Sequence, residues 1–77
     1  MNNTRRSQIT DIMENLSSLQ TSIEELLEEE QDAFDNLPEG IQDSERGEAI
    51  QTAIDNLEEA VSNCEELLNN LEMAKEQ

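Results

Sequence analysis

Residues 9–33, ITDIMENLSSLQTSIEELLEEEQDA, and residues 50–74, IQTAIDNLEEAVSNCEELLNNLEMA, carry one pattern twice. In the first stretch Ile9, Ile12, Leu16, Leu19, Ile23, Leu26, Glu30 and Ala33 recur at alternating intervals of 3 and 4. In the second, Ile50, Ala53, Leu57, Ala60, Cys64, Leu67, Leu71 and Ala74 repeat the spacing. That period gathers each set on one face of a helix. Read backwards, the second set pairs with the first at a constant index sum of 83, so Leu26 meets Leu57 and Ile9 meets Ala74. Two heptad seams in matching reversed register predict an all-α fold, an antiparallel two-helix hairpin resembling a coiled coil. Only Glu30 is out of character, and it faces small Ala53.

The rest of the chain fits around this hairpin. Pro38 disfavours helical geometry at Leu37 and ends the first helix, and Gly40 offers a left-handed position in the connection. Asp43 and Ser44 are both good caps for the second helix, and Glu45 and Glu48 place negative charge in its first turn. The expected bounds are a first helix over about 7–36, a connection over about 37–44 and a second helix over about 45–75. These form one domain, 1–77, with residues 1–6 a flexible lead. Asn56-Leu57-Glu58, Asn63-Cys64-Glu65 and Asn70-Leu71-Glu72 recur every seven residues, a coiled-coil period.

The flanks of the seam predict assembly. With Ile9 and Ile50 at heptad position a, the e positions hold Met13, Gln20, Leu27 and Phe34 in the first helix and Ile54, Val61 and Leu68 in the second, apolar but for Gln20. The opposite flank holds Asn15, Ser22, Glu29, Asn56, Asn63 and Asn70. Three apolar positions per heptad suit a bundle of more than two helices. The e side is therefore expected to join two hairpins into a homodimeric four-helix bundle. The alternative is that these side chains only broaden the contact within one hairpin.

Charge is the second feature. The chain has 20 acidic and 4 basic residues, a net charge of -16. Residues 23–61 hold fourteen acids against Arg46, a net -13, whereas residues 1–22 balance Asp11 and Glu14 with Arg5 and Arg6. The charge thus gathers at the bend of the hairpin. Like charges one helical turn apart weaken a helix by a few tenths of a kcal/mol each, so this concentration opposes folding. Glu24, Glu25, Glu28, Asp32, Asp35, Glu58 and Glu59 are the candidate contact residues for a basic partner. The competing view is a solvated face that only keeps the protein soluble.

Several classes are set aside. No apolar run approaches the ~18 residues a membrane span needs, and no apolar signal region follows Arg5 and Arg6. A lone Cys64 suits a reducing cytosol and reads as a small buried hydrophobe. Taken as a calcium loop from Asp35, the connection has Gly40 in the required sixth place but Leu37 third and Arg46 twelfth, where a bidentate Glu is needed. There is no His for a di-iron bundle. No nucleophile–base pair, phosphate-binding glycine loop or zinc spacing occurs. The expectation is a non-enzyme with no cofactor and no metal. Nucleic acid as a direct ligand is excluded by repulsion of its phosphates.

Residues 35–48, DNLPEGIQDSERGE, followed by residues 53–60, AIDNLEEA, resemble a group of small acidic proteins encoded by bacteriophages and prophages. The shared features are an Asn-x-Pro-Glu turn, a Ser-Glu-Arg helix start and Asn-Leu-Glu heptads. No site residues carry over. The resemblance implies a viral setting and the cytoplasm of a host cell, where short acidic proteins block host or defence proteins that handle nucleic acid. The leading expectation is an inhibitor of such a basic protein, its carboxylates standing in for phosphates. The alternative is a structural or adaptor coiled coil whose acids serve solubility. A third reading is a small-molecule sponge using the column Asn56, Asn63 and Asn70.

Overall fold

The structure, a computed structural model, describes residues 1–77. Helix α1 runs Asn3–Asp35 and helix α2 runs Glu45–Lys75. They lie antiparallel in a rod measuring 58 × 15 × 12 Å. Leu26 and Leu57 share one groove with Glu30 and Ala53, as the reversed register requires.

α1 begins at Asn3, not near Ser7, so residues 3–6 form its first turn. Asn2 is extended and its side chain accepts from the Arg5 amide at 2.8 Å, capping the helix. The open end of the hairpin also holds this turn down. The Met1 amino group donates to the main-chain oxygen of Gln77 at 2.9 Å. Arg6 Nε donates to the Lys75 carbonyl at 3.1 Å, at a helix end whose carbonyls lack partners and favour a cation. Further along α1, Thr21 and Ser22 hydroxyls donate to the carbonyls one turn back, so these polar residues stay satisfied inside a helix.

At the bend, the Asn36 amide donates to Asp32 and the Leu37 amide to Phe34 before Pro38 stops the helix. The turn Pro38–Ile41 closes with an Ile41 amide to Pro38 carbonyl bond of 3.0 Å. Gly40, at φ +86°, takes its third position, where a type II turn needs a left-handed residue. Gln42 Nε2 donates to the Phe34 carbonyl at 3.2 Å and ties the connection to α1. Ser44 caps α2, and Gly47 in the first turn is buried.

The seam runs along a and e positions. In α1 the half-buried side chains include Ile9, Met13, Leu16, Gln20, Ile23, Leu27, Glu30 and Phe34. In α2 they include Ile50, Leu57, Val61, Cys64, Leu68 and Leu71, with Ile54 the one buried hydrophobic at 4% exposure. The d positions Ile12, Leu19, Leu26 and Leu67 stay 47–60% exposed. Met13, Leu27, Phe34, Ile54, Val61 and Leu68, expected at an interface between hairpins, therefore broaden the contact within one. Side-chain size explains the choice. In α2 the d positions are mostly Ala53, Ala60 and Ala74, while e holds Ile54, Val61 and Leu68. Turning e inward removes more apolar surface from water.

Candidate acidic interface

Helix geometry sorts the remaining positions onto two faces. Residues advance by roughly 100° around the axis. With a and e straddling the seam, b and d point to opposite sides of the two-helix layer. The d face carries Ile12, Leu19 and Leu26 from α1, with Ala53, Ala60 and Leu67 from α2. The b face carries Glu24 and Gln31 from α1, with Gln51, Glu58 and Glu65 from α2.

All seven expected contact acids are exposed. Four of them, Glu28, Asp32, Asp35 and Glu58, come together around an open groove of about 580 Å³ at the bend end of the rod. Gln31 and Gln51 complete its walls, and Phe34 and Ile54 form its floor. Glu24, Glu25 and Glu59 lie outside it. Asp55 beside the groove accepts from Gln51 Nε2 at 3.0 Å. The floor residues were expected elsewhere and the two glutamines were not singled out. Their signal is positional: Gln31 and Gln51 are b residues at nearly matching levels of the two helices.

An apolar floor with a carboxylate rim suits one chemistry. A lysine or arginine can lay its methylene stem on Phe34 and Ile54 while its charged head meets carboxylates. No cluster of three or more His, Cys, Asp or Glu side chains is arranged to hold a metal ion. Cys64 is a free, half-buried thiol in the seam.

A second open groove, of about 470 Å³, lies on the d face between Leu26, Glu30, Ala53, Asn56 and Leu57. Glu30 is half-buried there beside small Ala53. Of the Asn column, Asn56 alone lines this groove, and its side-chain amide donates to the Thr52 carbonyl at 3.0 Å. No helix is long and apolar enough to cross a membrane.

Compared with known proteins, the chain matches no protein-family model, no curated protein and no solved structure.

Proposed function

We propose that this protein is a non-enzymatic, phage-type inhibitor that works in the host cytoplasm as a dimeric four-helix bundle. It binds a basic, nucleic-acid-handling protein of the host or its defences and occupies the surface meant for phosphates. The groove rimmed by Glu28, Asp32, Asp35 and Glu58 is the observation that carries this reading. It accepts the side chains that nucleic-acid-binding proteins present most often.

Charge density supports the same partner. Two copies of a -16 chain packed along one 58 Å rod carry roughly one net charge per 1.8 Å, beside about one per 1.7 Å of axis in duplex DNA. A rod of that density competes with a duplex for a basic channel.

The test replaces the rim by neutral isosteres: Glu28→Gln, Asp32→Asn, Asp35→Asn and Glu58→Gln together. Partner capture from infected-host lysate is then compared with the wild type at low and high salt. Capture by the wild type should fall steeply with salt, and the variant should capture nothing while its helicity is kept. Undiminished capture by the folded variant refutes the proposal.

The exposed d face favours a second reading, an adaptor that docks a partner helix there, its acids serving solubility. That reading makes Leu19 and Leu26 essential for capture and the rim carboxylates dispensable.

A further inference from the structure

We infer that a second copy of this chain covers the d face in one defined way: bends at opposite ends, α1 upon α1, and the twofold axis at Leu19. The inference rests on the dimeric assembly proposed above and fixes its face, direction and register.

The chain exposes 5597 Å² at a mass of 8.7 kDa, where a compact monomer would expose roughly 4,700 Å². A face 58 by 15 Å offers roughly 900 Å², close to the ~800 Å² each partner contributes to a stable interface. The d face is where the apolar surplus lies, with Ile12, Leu19, Leu26 and Leu67 about half exposed. Over α2 the same face is mostly alanine, which lets a second hairpin approach closely.

A twofold can place the bends together or apart. Together, two segments of net charge -13 coincide and repel. Apart, each lies over the open end of the other copy, residues 1–22 and 62–77, whose net charge is only -3. Opposite ends win.

α1 spans Asn3–Asp35, so full overlap of two antiparallel copies centres on Leu19. The d series Arg5, Ile12, Leu19, Leu26 and Ala33 is then self-complementary. Leu19 meets its own copy, Ile12 meets Leu26, and Arg5 meets Ala33. The small Ala33 leaves room for the exposed Arg5. One turn away on the same face is the half-buried Glu30. Arg5 of one copy pairs with Glu30 of the other, which gives the one carboxylate of the seam a partner. The b faces point outward, so a carboxylate groove stands at each pole of the assembly.

Cysteine coupling tests this in a Cys64→Ser background. Helices packed ~8–10 Å apart bring facing Cα atoms within disulfide range. Leu19→Cys should couple to itself under mild oxidation, and Ile12→Cys should couple to Leu26→Cys in a mixture but not to itself. In light scattering the wild type should be a dimer. Arg5→Glu should weaken it at least tenfold, and adding Glu30→Arg should restore it. A wild-type monomer at tens of micromolar overturns both this inference and the dimeric reading. A dimer whose Leu19→Cys variant is folded yet does not self-couple overturns the face and register and leaves the dimer standing.

Discussion

A methyl group on Gly47 would sit 2.0 Å from the Gln42 carbonyl oxygen and 2.5 Å from its carbon. Gly47 is therefore the contact that lets the connection lie on the first turn of α2. The obstacle is backbone, which cannot swing aside as a side chain would. Gly47→Ala gains about 1 kcal/mol of helix propensity, but overpacking costs about 1–3 kcal/mol and a backbone obstacle puts it at the upper end. Thermal melts should show a lower Tm for Gly47→Ala. Gly40 differs, since nothing lies within 4 Å of its missing Cβ and only its φ of +86° resists a side chain. Gly40→Ala should lose about 1 kcal/mol, less than Gly47→Ala. A Gly47→Ala variant more stable than the wild type would mean the connection does not rest there.

The ends of the two helices are held differently. Ser44 caps α2 alone: its hydroxyl accepts from the Gly47 amide and donates to the Ile41 carbonyl. At the start of α1, the Asn2 cap is reinforced by the Met1 and Arg6 bonds to the end of α2. Ser44→Ala should lower stability by about 1 kcal/mol, read as a shift in urea midpoint at unchanged slope. The start of α2, the stop before Pro38 and the left-handed Gly40 were legible in the sequence because capping and turn chemistry are local. The start of α1 was not, because its first turn has no acidic residue and its support comes from the far end of the chain. The seam was legible in register but not in rotation. With a, d and e all apolar, turning a helix by about half a residue step exchanges d for e without changing the periodicity. Alanine at three of four d positions in α2 is the local clue to which way it turned. The rim acids were legible as a cluster. Their grouping around Phe34 and Ile54 depended on that rotation.

At the scale of the whole rod, repulsion among the carboxylates opposes the fold. The screening length falls from about 10 Å at 0.1 M salt to about 3 Å at 1 M. Sodium chloride should therefore raise the Tm of the protein while it weakens capture of a basic partner. Parallel melts and capture assays along one salt series check both trends, and a Tm that falls with salt would contradict the picture. The bond between the Met1 amino group and Gln77 has its own consequence. A fluorophore, an affinity handle or an adjoining polypeptide fused at either terminus departs from the same pole, the one opposite the bend and its carboxylate rim. A short peptide bridge there would make the backbone circular, and cutting it anew at the Pro38–Ile41 turn would give a permutant with both helices intact.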